Sequence, residues 1–363
     1  MRIAVVGGGP AGLYSAIEGA KTGIKVTLFE KSKIGDEIRC AEGFLDSLKL
    51  LGKPDAGVRF KVENILVKVK KEHKVDVSDV NLWMIDRKEW QNALVDNARK
   101  LGVDVLEYRN IKPEDLSKMK QEYDWVIDAT GAPSLTSRLY RFKKFYIENC
   151  GLTVQYVMEG DFSKYGRNIK VIADTRNVGY YWIFPKGRDA KGVEIANVGF
   201  GVFKRQKPFS LWENLNKMIE LEKLDKHKIV KRVGGICPVK APKSLIYDNI
   251  ILVGDAAGLT SPVHGGGIDL ACISGKIAIQ AIIEGDVSNY RKRLWKIIGN
   301  KLSLEQELLE YWAASDFDSL DSFVSFLSRN KKISSLFLNP IAYSRLLIYG
   351  MRLLKKRSAM KVK

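Results

Sequence analysis

The chain has 363 residues, of which 45% are hydrophobic and 28% charged, a composition typical of folded globular proteins. This length predicts two domains and an appendage. The 60 basic and 42 acidic residues leave a net charge of +18, which favours an anionic partner: a nucleic acid, an acidic membrane face or a phosphorylated substrate. The four cysteines are far apart and no metal-ligand spacing occurs, so we expect neither a metal site nor a disulfide framework.

The start of the chain and its hydropathy bear on localisation. The first predicted strand begins at Arg2, which leaves no room for a signal peptide. No stretch of about 18 uncharged apolar residues predicts a membrane-spanning helix. With the scattered cysteines, this pattern predicts a cytoplasmic protein.

The first thirty residues predict a βαβ unit. A short apolar run from Ile3 to Val6 is followed by a glycine turn and by helical spacing from Pro10 to Thr22. A second apolar run, Val26 to Phe29, ends at Glu30.

The glycine turn Gly7-Gly8-Gly9-Pro10-Ala11-Gly12 fits the G-x-G-x-x-G fingerprint. We expect Gly7 to permit the tight turn, Gly9 to let backbone approach a pyrophosphate, and Gly12 to let the helix pack on the strand. Glu30 follows at the interval where a carboxylate accepts ribose hydroxyls. Strand, turn, helix, strand and acid in this order favour a bound nucleotide over a glycine-rich turn without a ligand.

The middle of the chain alternates between strand and helix patterns. Between Lys61 and Val77, apolar residues alternate with lysines, which predicts half-buried antiparallel strands joined by a turn at residues 71–74. Helical spacing follows Asp86-Arg87, and a buried strand from Trp125 ends at Asp128-Ala129-Thr130-Gly131. Residues 151–239 are predicted to be β-rich, with strands at 171–172, 180–184 and 196–203. From Tyr290 onward the pattern is helical.

A second glycine-rich segment follows the apolar run Ile250 to Val253. It reads Gly254-Asp255-Ala256-Ala257-Gly258, and Gly265-Gly266-Gly267-Ile268 comes soon after. We expect Asp255 to accept a ribityl hydroxyl, and the glycines to bring helix N–H groups close to an electron-rich ring edge. Because a mononucleotide would not need two such turns far apart in the chain, the pair predicts the long, bent cofactor FAD.

Together these segments resemble the p-hydroxybenzoate hydroxylase-like flavoproteins and, within that superfamily, the archaeal geranylgeranyl reductases. Further segments that carry the resemblance are Arg39-Cys40-Ala41-Glu42-Gly43, Gly179-Tyr180-Tyr181-Trp182-Ile183-Phe184-Pro185-Lys186 and Asn197-Val198-Gly199-Phe200-Gly201. The resemblance covers residues 1–286. It implies an α/β fold (α+β overall): a Rossmann-like FAD-binding domain interleaved with an antiparallel β-sheet substrate domain, plus a C-terminal helical segment.

The resemblance and the strand pattern together predict the domain boundaries. Residues 1–60, 78–150 and 245–290 form the discontinuous FAD-binding domain in this interpretation. Residues 61–77 and 151–244 form the β-rich substrate domain, and residues 291–363 form the helical region.

The resemblance implies a reductase that saturates C=C bonds of geranylgeranyl chains in membrane lipid precursors. It also implies that Tyr180, Trp182 and Phe184 line a cavity near the flavin. Period-2 spacing places these three on one face of a strand, so core residues of a sheet are an equal alternative. With the glycine motifs, the predicted FAD-binding residues are Gly7, Gly9, Ala11, Gly12, Glu30, Arg39, Cys40, Ala41, Gly43, Arg87, Ala129, Gly131, Asp255, Gly267 and Ile268.

The chemistry of an isolated alkene sets further requirements. No carbonyl polarises it, so hydride transfer must be coupled to protonation of the other carbon. Such a site excludes water and surrounds a cationic centre with aromatic faces. Cys40 is either a redox-active thiol beside the flavin or a small interior residue. His264 is either a proton relay or a loop histidine with structural hydrogen bonds.

The C-terminal end combines basic and apolar residues without an acidic residue after Asp321. This pattern suits an interfacial helix on an anionic membrane, peripheral at its inner face, and equally a core helix with a solvated basic tail. Nucleic acid is not expected, because no recognition motif accompanies the charge. The basic residues are Arg329, Lys331, Lys332, Arg345, Arg352, Lys355, Lys356, Arg357, Lys361 and Lys363, and the apolar ones include Ile341, Tyr343, Leu346, Leu347, Ile348, Tyr349, Met351, Leu353 and Leu354.

Two other functions stay open at this point. One is an FAD-dependent hydroxylase or halogenase, and the other is a membrane-associated flavoprotein that carries electrons to a partner. The external electron donor also stays open between a reduced nicotinamide and a ferredoxin-like protein, because no second dinucleotide fingerprint occurs.

Overall fold

The computed structural model describes residues 1–174, 176–189, 191–204 and 210–333. Most of the predicted interfacial helix, from Ile341 onward, lies outside these residues. No helix in the described ranges combines the length and the apolar character that crossing a bilayer requires.

A six-stranded sheet forms the first layer, and its strand order is β15-β16-β9-β1-β2-β8. All neighbours are parallel except the β15–β16 pair. The side chains of the central strands are buried on both faces, as a parallel sheet between helices requires. The strands are β1 (Arg2–Val6), β2 (Lys25–Phe29), β8 (Asp104–Leu106), β9 (Trp125–Asp128), β15 (Ile246–Tyr247) and β16 (Ile250–Leu252).

Helices cover both faces of this sheet. One face packs against α1 (Pro10–Lys21), α2 (Arg87–Lys100), α7 (Ile268–Ile283) and the start of α8 (Tyr290–Ala314). The other face packs against α3 (Pro113–Glu122) and α4 (Leu135–Leu139), and α5 (Lys143–Glu148) follows in the chain.

A seven-stranded sheet forms the second layer, in the order β14-β10-β13-β12-β11-β5-β6. All its neighbours are antiparallel except β5 and β11. Helix α6 (Leu211–Leu221) packs its buried side chains on one face of this sheet, and the other face is turned toward a cavity. The strands are β5 (Asn64–Lys68), β6 (Glu72–Asp76), β10 (Cys150–Glu159), β11 (Asn168–Ala173), β12 (Val178–Arg188), β13 (Glu194–Lys204) and β14 (Lys228–Pro238).

A small sheet and a helical hairpin complete the described residues. The small sheet has the order β3-β7-β4, from β3 (Gly43–Leu45), β4 (Val58–Lys61) and β7 (Leu82–Ile85). Helix α8 begins against the six-stranded sheet, where the Tyr290 hydroxyl donates to the Leu252 carbonyl oxygen. Helix α9 (Phe317–Arg329) then packs on β6 at the far edge of the seven-stranded sheet.

The predicted fold class is confirmed, whereas one predicted turn was wrong. The turn expected at Lys71-Glu72-His73-Lys74 lies earlier, at residues 69–71, and Glu72 to Lys74 belong to β6. His73 is paired there with Asp321 of α9 at 3.0 Å. The segment is basic and polar, so its sequence resembles an exposed turn. The helix that packs on it lies about 250 residues later in the chain, and the local sequence does not indicate this contact.

Substitution of Leu215 tests how much the packing of α6 on the seven-stranded sheet contributes to stability. Leu215 is fully buried in α6, and we expect Leu215→Ala to lower the free energy of unfolding by about 3 kcal/mol because a cavity remains. Leu221→Ala, on the same helix but 80% exposed, is expected to change it by less than about 0.5 kcal/mol. Urea unfolding followed by circular dichroism measures both, and equal losses would contradict this packing.

Candidate active site

A single cavity of about 1010 Å³ lies between the six-stranded and seven-stranded sheets. Its walls include both glycine-rich segments, the segment Arg39–Gly43, and the inward face of the seven-stranded sheet from β14 to β5. Almost every predicted site residue lines it; Gly12 instead lies behind the wall. Sequence motifs that are hundreds of residues apart thus meet at one site.

The fingerprint glycines have distinct steric roles. A Cβ on Gly7, whose φ is +111°, would lie 2.4 Å from the Ala129 carbonyl oxygen. A Cβ on Gly12 would lie 1.9 Å from the Gly7 carbonyl oxygen, so only glycine lets α1 start this close to β1. Around Gly9 no atom lies within 4 Å of such a Cβ. The open space sits at the N-terminus of α1, where free N–H groups favour a phosphate.

Glu30 lies beside the glycine turn Gly7–Gly12, which with the cavity wall around it we call the cradle. The Glu30 carboxylate accepts from the Gly8 N–H at 2.7 Å and from both the N–H and the hydroxyl of Ser32 at 3.1 Å. These bonds fix the carboxylate at the end of β2 and leave lone pairs for further donors. Across the cavity, Gly131 has a φ of +81° and open space at its Cβ position.

Asp255 and Arg87 bring opposite charges to the middle of the cavity. Asp255 lies in the 3-10 turn Gly254–Ala257, and burial raises the pKa of its carboxyl to about 6, against the opposing influence of Arg87. Arg87 donates from one terminal nitrogen to Gln91, but its buried Nε has no hydrogen-bond partner. Arg87 lines the cavity, and its unpaired buried donor calls for a partner that the described residues do not supply.

Two side-chain amides hold the segment Cys40–Glu42 against the seven-stranded sheet. Gln155 donates to the Cys40 carbonyl oxygen at 3.1 Å, and Asn197 donates to the Ala41 carbonyl oxygen at 3.0 Å. Asn197 also donates to the Glu42 carboxylate, which pairs with Lys186 at 2.7 Å. The role of Gln155 was missed by the sequence analysis, since a lone glutamine in a strand carries no signal.

The remaining residues of that segment differ in exposure. The Arg39 side chain is 63% exposed and lies at the cavity rim, 3.9 Å from Glu37. The Cys40 sulfur accepts from the Glu42 N–H at 3.2 Å, and Cys40 faces the cavity from one wall. Cys237 faces it from β14, and burial raises the pKa of its thiol to about 12.

Tyr180, Trp182 and Phe184 line the cavity side by side on β12. Their alternation partners Tyr181 and Ile183 point to the opposite face and pack in the core under α6. The Trp182 Nε1–H donates to Gln155 at 3.1 Å, and the Tyr180 hydroxyl donates to the His264 carbonyl oxygen at 2.7 Å. All three side chains line the cavity, and Trp182 is in addition almost fully buried, at 7% exposure.

The cavity lining also includes a large group of apolar side chains, which we call the apolar arm, and Phe184 packs against several of them. Its residues come from the seven-stranded sheet and the turn after β5, from the small sheet, and from the helical hairpin. Its residues are Leu45, Ile65, Val67, Val69, Leu82, Ile169, Val171, Ala173, Leu308, Tyr311, Trp312, Leu320, Phe323, Val324 and Leu327. The sequence analysis did not connect the C-terminal helices to the site.

The two fingerprint glycines allow a matched test of the cradle. We expect Gly9→Ala to fold with native stability but to bind flavin at least tenfold more weakly, because the new methyl enters space that is open to a phosphate. Gly12→Ala should destabilise the fold itself, because its methyl meets the Gly7 carbonyl oxygen. Flavin titration by fluorescence quenching and thermal unfolding separate the two effects, and an unchanged affinity in Gly9→Ala would refute this assignment.

The raised pKa of Asp255 predicts a pH-dependent stability. The folded-state pKa of about 6 lies above the ordinary value of 3.8, so the carboxyl stabilises the fold below about pH 4 and loses this contribution as pH rises through 6. Asp255→Asn should therefore stabilise the flavin-free protein relative to the native chain by on the order of 2–3 kcal/mol at pH 8, and by much less at pH 4. Urea unfolding at both pH values measures this difference, and a pH-independent difference would contradict it.

Comparison with known proteins defines the class. A family model described as geranylgeranyl reductase catalytic domain matches residues 149–237, and one described as pyridine nucleotide-disulphide oxidoreductase matches residues 1–166. A variant of the halogenase PltM solved in complex with FAD shares the fold, with a TM-score of 0.69 at 12% identity, over 100% of this chain and 92% of that one. The protein is an FAD-dependent oxidoreductase.

The family follows from the curated relatives. Digeranylgeranylglycerophospholipid reductase 2 of Methanosphaera stadtmanae is 31% identical, over 88% of this chain and 93% of its own length. The chain belongs to the geranylgeranyl reductase family, as the sequence resemblance predicted. The geranylgeranyl bacteriochlorophyll reductase-like protein of Thermoplasma acidophilum shares the fold, with a TM-score of 0.75 at 23% identity, over 97% and 98% of the two chains.

Proposed function

We propose that the protein is a reductase that saturates C=C bonds of geranylgeranyl chains carried by membrane lipid precursors. The observation that carries this proposal is that one continuous cavity is lined by the glycine-rich segments, by the aromatic triplet of β12 and by the apolar arm. The relatives' names point to the same substrate class.

The residues of the cradle suit FAD. The open space at Gly9 and the N-terminus of α1 would take the pyrophosphate, Glu30 the adenosine ribose, and Asp255 the ribityl hydroxyls. Arg87, whose buried Nε has no partner among the described residues, lines the same cavity and would offer a further donor to the cofactor. Two-electron-reduced FAD supplies the hydride that an unactivated alkene requires.

The protein's own residues then bind the chain and exclude water. The apolar arm offers burial to an isoprenoid chain at roughly 25 cal/mol per Å² of apolar surface. The ring faces of Tyr180, Trp182 and Phe184 stabilise positive charge that develops on a trisubstituted alkene carbon. A substrate of this kind resides in a membrane, and the net charge of +18 favours contact with an anionic membrane face.

The decisive experiment supplies a geranylgeranyl phospholipid to enzyme whose flavin has been reduced chemically under anaerobic conditions. This design makes the natural electron donor, a nicotinamide or a ferredoxin-like protein, unnecessary. We expect mass spectrometry to show products that have gained two hydrogen atoms for each saturated bond. Oxygen-dependent hydroxylation or halide incorporation without saturation would replace this proposal with the monooxygenase or halogenase alternative, and no product in any assay would favour an electron carrier.

Phe184 offers a matched test of the aromatic wall. Phe184→Leu keeps an apolar surface but removes a ring face, and we expect kcat to fall about tenfold, since a desolvated cation–π contact contributes about 1–2 kcal/mol. Tyr181→Leu removes an aromatic ring from the same strand on the opposite, core-facing side. It should lower stability but leave kcat within about twofold. Anaerobic single-turnover rates measure both, and equal rate losses would contradict a role for the ring face.

A further inference from the structure

The Trp182 indole crosses the seven-stranded sheet on its cavity side. Trp182 on β12, Gly199 on β13 and Gln155 on β10 form one row of directly opposite residues. Opposite residues of an antiparallel sheet point to the same face, and both Trp182 and Gln155 line the cavity. Because the Trp182 Nε1–H donates to the Gln155 side-chain oxygen at 3.1 Å, the indole spans the width of β13.

Two glycines of β13 leave the space that the indole fills. A Cβ on Gly199 would lie 2.2 Å from Trp182 Cζ2 and 2.4 Å from Trp182 Cε2. A Cβ on Gly201 would lie 3.3 Å from Trp182 Cζ3. Glycine weakens a strand interior and often marks the close approach of another group, which here is the indole. The ring therefore lies against β13, and a ligand in the cavity meets the part of the ring that faces away from this strand.

The side-chain amide of Gln155 is held in a single orientation. An indole nitrogen only donates and a backbone carbonyl oxygen only accepts, so the amide oxygen faces Trp182. The amide nitrogen donates to the Cys40 carbonyl oxygen at 3.1 Å and to the Asn197 side-chain oxygen at 3.3 Å. Gln155 is 5% exposed, so water does not readily replace these bonds.

Apolar packing alone does not account for a glutamine at this place. An aromatic ring that covers a glycine of the next strand stabilises a sheet without any hydrogen bond. An apolar side chain at position 155 would fill the same space without the desolvation cost of a buried amide. The amide is instead matched to a polar atom on each side, the indole nitrogen and the Cys40 carbonyl oxygen. It thereby fixes where the ring lies relative to the segment Cys40–Glu42.

We propose that Gln155 is a positioning residue of alkene reduction, which holds the Trp182 indole on β13 so that one fixed ring face meets the reacting carbon. This inference rests on the proposed function and adds to it the residue that sets the aromatic wall. A π face stabilises positive charge only when the charge lies over the ring. A ring that is free to turn offers its face for part of the time, so the reaction slows although the lipid still binds.

The first experiment observes the Trp182 indole N–H and needs no turnover. The chain has seven tryptophans, so ¹⁵N-indole labelling of the FAD-loaded protein gives a small set of indole signals, and Trp182→Phe identifies the one from Trp182. Gln155→Met keeps the length of the side chain but removes its amide. We expect the Trp182 N–H signal to move upfield and to exchange with water at least about tenfold faster, because a hydrogen bond protects an N–H from exchange. An unchanged signal would overturn the inference.

Asn64→Leu is the matched control for the loss of an amide. Asn64 on β5 donates to the Asn168 side-chain oxygen at 2.8 Å, so it also forms an amide bond between strands of this sheet. Asn64 alternates with the cavity-lining Ile65 and therefore shares the face of Leu66, which packs in the core under α6. We expect this variant to lose stability, but to keep the native Trp182 signal and a reduction rate within about twofold of the native one.

The second experiment separates the rate of reduction from lipid binding. In anaerobic single turnovers of a geranylgeranyl phospholipid, we expect Gln155→Met to lower the maximal rate about tenfold. The lipid concentration that gives half of this rate should stay within about threefold of the native value, since the apolar arm is intact. A native rate, or a loss confined to lipid binding, would refute the positioning role.

Gly201→Ala tests the same ring from its other edge and leaves Gln155 in place. The new methyl would lie 3.1 Å from Thr153 Cγ2 and 3.3 Å from Trp182 Cζ3, so these side chains must move by a few tenths of an ångström. We expect a shifted Trp182 signal and a maximal rate lowered about threefold or more. A methyl that only obstructed the lipid would weaken lipid binding and leave the signal in place, and this result would contradict the proposal.

The outcomes separate the two proposals. A native enzyme that reduces no isoprenoid lipid refutes the proposed function, while the Trp182 signal still tests whether Gln155 holds the ring. A native enzyme that is active, with Gln155→Met and Gly201→Ala equally active, refutes the positioning role alone. If Gln155→Met does not fold, Gly201→Ala decides, and a native rate with a shifted Trp182 signal overturns the inference.

Discussion

The attachment of the Cys40–Glu42 segment to the seven-stranded sheet is the interaction on which the site depends. Gln155 and Asn197 donate to its carbonyl oxygens, and Lys186 pairs with Glu42, so three strands of this sheet hold the segment in place. Buried amides and charges need these partners, because leaving them unpaired costs free energy. The cofactor cradle and the aromatic strand therefore face each other across a fixed distance.

The same sheet serves two purposes because its two faces differ. Side chains on alternate positions of β12 enter either the core under α6 or the cavity wall. The core-facing side chains anchor the sheet by ordinary apolar packing. The cavity-facing side chains are not needed for this packing and are available to a ligand. The helical hairpin and the small sheet complete the apolar arm.

Polar groups at this site are segregated from the apolar arm. Arg87, Asp255 and Glu30 follow the nucleotide cradle, whereas the buried ion pair of Lys301 and Glu305 stands behind His264. The walls of the apolar arm offer an ion no partner of opposite charge, so burying an ionic group there would cost desolvation free energy. This separation suits one cavity to both a charged cofactor and an apolar chain.

The sequence by itself determined the features that local sterics and periodicity dictate. Gly7 and Gly12 are required where backbone atoms approach closely, and the alternation of Tyr180, Trp182 and Phe184 defines one face of a strand. The fold class, the class of enzyme and its family followed from the resemblance that the sequence motifs carry. The domain boundaries and the roles of individual site residues stay predictions.

Only the tertiary structure decided which of these faces lines a cavity and which other residues form the rest of the cavity wall. Lys301 and Glu305 look like a solvated pair one helical turn apart, and nothing local marks them as buried behind His264. The apolar arm combines strand residues near Ile65 with helix residues near Phe323, which are distant in the chain. Strand β6 was mistaken for a turn because the helix that packs on it is also distant in the chain. Burial depends on what packs against a residue from distant parts of the chain, and neither spacing nor composition of a segment records that partner.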